Sequence, residues 1–158
     1  MRALSITFRY HATWYKTHNI MLKPKFPNVL LFLFVKYIVF VVLLAFIGDR
    51  FKFLVIESSG NTRELISNTG IYALYVLLYT LIATAIFCLP VYFTLKVRNP
   101  IYFILLMIAV LVVEYFLYTY MVSAFNLMNG VYNAVIGVLF LLLFFHRHIS
   151  SIFRQQVA

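Results

Sequence analysis

The chain has 158 residues, of which 65% are hydrophobic, 19% aromatic and only 11% charged. This composition lies outside the range of soluble globular domains and predicts an integral membrane protein. A formal charge of +9 would indicate a nucleic-acid partner in a soluble protein, but membrane topology accounts for the excess of bases here, and we expect no nucleic acid. The single cysteine, Cys88, excludes an internal disulfide and any CxxC redox or zinc motif.

The segment 1–27 is basic and aromatic and contains no acidic residue. Basic side chains beside aromatic ones suit the headgroups of anionic lipids, where each cation contributes about 1 kcal/mol of attraction. We therefore expect a cytoplasmic segment, either an interfacial helix or a disordered tail, that docks on the membrane surface or on a partner. It is too polar for a secretory signal, so we expect the first helix to be retained. The basic residues are Arg2, Arg9, Lys16, Lys23 and Lys25.

Four apolar stretches predict four transmembrane helices, at about 28–47, 71–95, 101–122 and 125–145. A span of about 20 residues covers about 30 Å, the thickness of the hydrocarbon core. We expect Pro90 to kink the second span or to end its regular part. The short basic turn at residues 96–100 makes the second and third spans antiparallel neighbours.

The connections between the spans are short, apart from the loop at 48–70, which holds three basic and three acidic residues. Its FKFLVIE run is compatible with a short strand or an interfacial segment, and we expect Asn61 to open a helix that ends near Ser67. The fourth span is predicted to stop at His146. The basic tail 147–158 then offers Arg147 and Arg154 for docking on the membrane or a partner.

The distribution of basic residues predicts which side of the membrane each segment occupies. The N-terminal segment, the 96–100 turn and the C-terminal tail hold five, two and two Lys or Arg and no acid, whereas the long loop is balanced. Both termini should therefore be cytoplasmic. The fold class is an all-α integral membrane bundle of four antiparallel helices, with one membrane domain at 28–146. We expect a multi-pass protein of a bacterial inner membrane.

Two charged residues, Lys36 and Glu114, interrupt the apolar spans. From the cytoplasmic ends of their helices Lys36 lies about 12 Å deep and Glu114 about 21 Å deep, an axial offset of about 9 Å. The Cα–Cβ bonds of both residues tilt toward the cytoplasm, which brings Glu114 closer to Lys36 and carries Lys36 away from Glu114. A buried ion pair within one subunit is one interpretation, and it would specify the fold with little net stabilisation.

The alternatives for these two residues involve no ion pair. Lys36 can extend its stem to the cytoplasmic headgroups. Glu114 can be protonated and hydrogen-bonded to a hydroxyl, and Tyr118, four residues later, lies on the same face. A charged residue inside a membrane is a default functional candidate, so Glu114, Lys36 and Tyr118 form the candidate ion or proton site.

The fourth span carries Asn129, Asn133 and Gly137 at a spacing of four. Small and amide side chains at this spacing let helices approach closely and form hydrogen bonds, which predicts a packing face within the chain or between subunits. His146 and His148 do not share a helical face, so we expect no metal site. The sequence contains no P-loop, dinucleotide fingerprint, HExxH or GxSxG motif, and we expect no catalytic residue and no cofactor.

We therefore expect a small non-enzymatic membrane subunit that serves as an anchor, sensor or assembly partner. It would act in a homo-oligomer or with a larger membrane-protein partner, and it would contact membrane lipids, including anionic headgroups. The alternative is a small oligomeric ion channel or proton-coupled transporter that uses Glu114. A membrane-disrupting defence effector is a further version of that alternative.

Overall fold

In the computed structural model the described residues are 24–47, 49–122 and 127–154, and they form helices and no strand. Within these ranges, four helices are long and apolar enough to cross a membrane. We name them α1 to α4 in chain order. The helices are α1 (Phe26–Ile47), α2 (Thr62–Lys96), α3 (Pro100–Leu117) and α4 (Leu127–Arg154), with π-helical segments at Lys52–Ile56 and Tyr118–Val122. The predicted docking residues of segment 1–23 lie outside the described residues.

The second helix is longer than the sequence predicted. The expected helix ending near Ser67 is wrong, because α2 runs without a break from Thr62 to Lys96. Its start is fixed by Asn61, whose side chain accepts a hydrogen bond from the backbone N–H of Glu64 at 2.9 Å. No residue between Ser67 and the apolar run blocks helical hydrogen bonding, and a single interior glycine, Gly70, costs only about 1 kcal/mol.

Pro90 lies inside α2 and does not end it, since the helix continues to Lys96. The hydroxyl of Thr94 donates to the backbone carbonyl of Pro90 at 2.8 Å. The next helix begins at once, because Asn99 caps α3 by accepting from the backbone N–H of Ile101 at 2.9 Å, and Pro100 occupies the first turn, where its missing N–H is not needed.

Two further segments differ from the sequence expectations. The FKFLVIE run forms a π-helical segment at Lys52–Ile56, so the strand interpretation is wrong for it. The fourth helix does not stop at His146 but continues to Arg154. This extension packs on the rest of the protein: Ile152 is buried, and the ring of His148 forms a hydrogen bond with the backbone carbonyl of Leu95 at 2.7 Å.

The core lies where α1 contacts the other helices. Its buried positions recur at three- and four-residue intervals along α1, which places them on one face. Aromatic pairs link the helices along their lengths: Phe26 contacts Tyr92 with ring centroids 5.5 Å apart, and Phe32 contacts Phe145 at 5.6 Å. The buried face of α1 comprises Val29, Phe32, Leu33, Lys36, Tyr37, Phe40, Val41, Leu44 and Ala45.

Candidate functional site

A buried ion pair lies at the centre of the helical core. Lys36 is the eleventh residue of the 22-residue helix α1, so its Cα is about 15 Å from the start of that helix. Lys36 and Glu114 are 2% and 1% exposed, and the ammonium of Lys36 donates directly to Oε2 of Glu114. The structure therefore brings together the two charged residues that the sequence placed inside the membrane.

Two further side chains hold the carboxylate of Glu114. The hydroxyl of Tyr37 donates to Oε1, and the amide nitrogen of Asn133 donates to Oε2 at 3.3 Å. Tyr37 and Asn133 are both completely buried. A carboxylate removed from water is costly unless several donors satisfy its oxygens, and here a cation, a hydroxyl and an amide do so. The two charges cancel, so the cluster is neutral overall.

Helix geometry explains how α1 and α3 supply these groups. Lys36 and Tyr37 are adjacent members of the buried face of α1. Along α3 the buried residues Phe103, Met107 and Glu114 are four and seven positions apart, which places the acid on the one stripe that faces the other helices.

Gly137 in α4 makes room for the lysine. A Cβ atom at this position would lie 3.1 Å from both Cε and Nζ of Lys36, closer than ordinary van der Waals contact. The stem of Lys36 thus passes over the bare backbone of α4 on its way to Glu114. Gly137 lies one helical turn after Asn133, so the predicted packing face of α4 supplies both an amide donor and the gap that the cation occupies.

The start of α4 packs closely on the end of α3. A Cβ atom on Gly130 would lie 2.5 Å from Oγ1 of Thr119 and 2.6 Å from the ring of Tyr115, so only glycine fits here without rearrangement. Asn129, beside it, is 8% exposed. The predicted face of Asn129, Asn133 and Gly137 is therefore a contact within the chain.

Tyr118 is buried beside the site, but it does not bind Glu114 in the way its position suggested. Its ring stacks on Tyr37 at 6.0 Å and meets Phe40 edge-on at 4.8 Å. The hydroxyl that reaches Glu114 is that of Tyr37, which sequence reasoning missed. The sequence feature that could have indicated Tyr37 is its position directly after Lys36 in the middle of an otherwise apolar helix.

A small cavity adjoins the ion pair. It has a volume of about 20 Å³, which is room for about one water molecule. We call it the pair cavity. Its polar lining is Lys36 and Glu114, and the apolar residues Leu33 of α1 and Met107 of α3, which precede the charged residues in their helices, also line it. The pair cavity therefore extends from the ion pair toward the start of α1.

The predicted docking residues within the described part of the chain lie away from this cluster. Lys25, Arg147 and Arg154 are exposed at the end of the structure where α1 begins and α4 ends. In the described part of the chain no group of three or more His, Cys, Asp or Glu residues is placed to hold a metal ion.

No family model, curated protein or solved structure matches the chain. The functional argument therefore depends on the buried cluster itself.

Proposed function

We propose that this chain is a non-enzymatic integral membrane subunit that acts as a proton sensor within a membrane assembly, with Glu114 as the sensing group. The observation that carries the proposal is the ion pair of Lys36 and Glu114 in the middle of the helical core. Ionisable groups at membrane depth are costly and are retained at functional positions. A carboxylate whose charge holds two helices together responds structurally when it gains a proton.

The proposed topology is an antiparallel bundle with both termini in the cytoplasm of a bacterial cell. Ring contacts support the antiparallel arrangement, since Phe26 at the start of α1 contacts Tyr92 near the end of α2, and Phe32 contacts Phe145 near the end of α4. The exposed bases Arg147 and Arg154 lie at this same end, and an excess of basic residues marks the cytoplasmic face.

The proposed response to acid follows from the partners of Glu114. When Glu114 is protonated, Lys36 loses the carboxylate that balances its buried charge, and an unpaired buried charge costs several kcal/mol. The other groups at the cluster do not compensate, because Asn133 does not titrate and Tyr37 is a neutral phenol. Acidification should therefore loosen the contact of α3 with α1 and α4.

Partner binding is the proposed way in which this change is read. Large apolar side chains of α3 lie on its outer side, for example Ile101, Leu105 and Val113 at 61%, 57% and 55% exposure. Such a surface suits lipid or the helix of a second copy or of a larger membrane protein. Purification from the native host in mild detergent, followed by mass measurement, tests this assembly, and a monomer without any partner would contradict it.

The sensing proposal is tested by thermal unfolding of the purified protein and of Glu114→Gln between about pH 8 and about pH 4, a range that covers carboxyl titration. We expect the wild-type protein to lose stability on acidification because the ion pair is lost, and the variant to show a smaller loss. All other ionisable residues are the same in both proteins, so the difference isolates Glu114. Parallel loss of stability in the two proteins would contradict the proposal.

A proton-coupled transporter or channel is the second candidate. The pair cavity favours it, because a water-sized space in contact with both Lys36 and Glu114 gives the carboxyl group a place to exchange its proton. This function predicts pH-dependent flux in liposomes that Glu114→Gln abolishes.

A further inference from the structure

A second cavity lies on the opposite side of the ion pair. It has a volume of about 110 Å³, and we call it the tyrosine cavity. The α1 residues that line the tyrosine cavity come after Lys36 in the sequence. The α1 residues that line the pair cavity come before Lys36 or are Lys36 itself. The two cavities therefore lie on either side of Glu114 along the bundle. The tyrosine cavity is lined by Phe40, Val41, Leu44, Arg50, Leu54, Tyr72, Tyr75 and Tyr79.

Three tyrosine rings connect this cavity to the carboxylate. Tyr79, which lines the cavity, contacts Tyr118 with ring centroids 6.2 Å apart. Tyr118 stacks on Tyr37 at 6.0 Å, and the hydroxyl of Tyr37 donates to Glu114. Tyr118 thus contacts both a tyrosine of the cavity wall and the hydrogen-bond partner of the acid.

The hydroxyl of Tyr118 is buried and, among the described residues, forms no hydrogen bond of ordinary length, but it lies close enough to the hydroxyls of Tyr79 and Tyr37 to interact with both. A buried hydroxyl without a partner costs about 1–3 kcal/mol, so a purely structural role would favour phenylalanine here. Two threonine hydroxyls on the interior of α2, those of Thr80 and Thr84, are likewise buried without a partner in the described part of the chain. Polar interiors of this kind are satisfied by buried water.

The local helix geometry turns Tyr118 inward. The α-helix ends at Leu117, and a π-helical segment, Tyr118–Val122, follows. The backbone N–H of Tyr118 bonds to the carbonyls of both Glu114 and Tyr115. The wider turn buries Tyr118 and Thr119, two consecutive residues, at 1% and 0% exposure. Single π-helical turns in helices are frequent at functional sites.

We infer that Tyr79, Tyr118, Tyr37 and Glu114 form a proton route between the tyrosine cavity and the pair cavity. This inference rests on the proposed function, because it names the path by which the sensing carboxyl group gains and loses its proton. Since the path reaches a cavity on each side of Glu114, it also carries protons across the bundle, and proton flux measures it. The ligand is a proton delivered by water. Tyrosine hydroxyls suit this task, since each can accept a proton on its oxygen while donating its own.

The transfer conserves protons at every step. A hydronium ion in the tyrosine cavity gives a proton to the oxygen of Tyr79 and becomes water, and Tyr79 releases its own proton toward Tyr118. The same exchange follows at Tyr118 and Tyr37, through bridging water where the oxygens are apart. Tyr37 then gives its proton to Oε1 of Glu114, and the neutral acid releases a proton to water in the pair cavity. Each tyrosine ends neutral, and no electron is transferred.

The charged groups along the route are few. Arg50 lies at the wall of the tyrosine cavity, and Lys36 from α1 faces Glu114 directly. From α4 the carboxylate meets Asn133, which does not titrate. From α2 the nearest titratable group on the route is the hydroxyl of Tyr79. A proton that reaches Glu114 therefore acts on the interaction with Lys36.

The test is proton flux into proteoliposomes that contain a pH-sensitive dye, measured after an external pH jump with potassium and valinomycin present to dissipate charge. We expect the wild-type protein to carry protons faster than protein-free vesicles. Tyr118→Phe should reduce this flux by roughly 10²-fold, the low end for loss of a proton-transfer group. Tyr102→Phe, at a position that is 62% exposed on α3, is the matched control and should leave the flux unchanged.

Thermal stability separates the route from a structural role. Tyr118→Phe keeps the ring and removes a hydroxyl that forms no hydrogen bond of ordinary length, so the variant should unfold within about 1 kcal/mol of the wild-type protein, and its loss of flux then reports on the route. Flux equal to that of protein-free vesicles, or equal flux in Tyr118→Phe and wild type, would overturn the route. If stability still depends on pH through Glu114 in that case, the sensing proposal survives. Equal pH dependence in wild type and Glu114→Gln would show that the sensing proposal itself has failed.

Discussion

The buried ion pair makes a quantitative prediction for the replacement Lys36→Met. Both charged side chains are at least 97% buried in the core. Removal of one partner from a buried ion pair costs about 3–5 kcal/mol, whereas a surface ion pair contributes about 0–1 kcal/mol. Glu114 keeps Tyr37 and Asn133 as donors, and it can take up a proton. We therefore expect a loss of about 3 kcal/mol, the lower end of that range.

The assay is a double-mutant cycle on the free energy of unfolding in mixed detergent micelles. Lys36→Met and Glu114→Gln are measured singly and together. Since the double variant contains neither an unpaired cation nor an unpaired anion, it should be less destabilised than the sum of the single variants by about 1–3 kcal/mol. Two results together would refute the reasoning: a coupling energy near zero, and a loss for Lys36→Met no larger than about 0.6 kcal/mol, the average measured for polar contacts in a membrane protein.

Two smaller predictions test the groups around the pair. Gly137→Ala should cost about 1–3 kcal/mol in unfolding free energy, because its Cβ would lie 3.1 Å from the end of Lys36. Gly70→Ala is the control, since a Cβ there meets nothing within 4 Å, and it should stabilise α2 by about 0.5–1 kcal/mol. Equal changes in unfolding free energy for the two variants would contradict the close contact between Gly137 and Lys36. Tyr37→Phe should cost about 1–3 kcal/mol, because Oε1 of Glu114 loses its donor, and an unchanged unfolding free energy would show that this hydrogen bond does not contribute.

The sequence predicted the parts of the fold that depend on hydropathy and helix period. It placed the membrane spans, and it singled out Lys36 and Glu114 because charges in apolar helices are costly. The spacing of Asn133 and Gly137 also predicted a packing face. Each of these features depends on the sequence of a single helix, so it can be recognised without knowing how the helices pack.

The sequence could not predict how the helices are rotated and aligned against one another. The axial offset of about 9 Å inferred between Lys36 and Glu114 left the ion pair as one of several interpretations. The space at Gly137 that the Lys36 side chain occupies exists only when α1 and α4 pack together. Tyr37 went unnoticed because tyrosine is common in apolar spans. Which tyrosine hydroxyl binds Glu114 depends on how each helix is rotated about its axis. The rotation of α1 directs Tyr37 toward Glu114, whereas the ring of Tyr118 packs against Phe40.

The ends of the helices were also beyond the sequence signals. A helix end was predicted near Ser67 and another at His146, yet both residues lie inside helices. A glycine inside a helix costs only about 1 kcal/mol and an ordinary polar or charged residue less, and tertiary contacts outweigh this. At the end of α4 the contacts are those of His148 and Ile152 with the rest of the protein.

The most direct test of the central claim is the infrared absorption of the Glu114 carboxyl group in the reconstituted protein, identified as the difference between wild type and Glu114→Gln. An ion pair with Lys36 predicts that the C=O stretch of a protonated carboxyl group is absent at neutral pH and appears on acidification. If that band is already present at neutral pH, Glu114 is a neutral hydrogen-bonded acid, and both the ion pair and the proposed proton sensing would be contradicted.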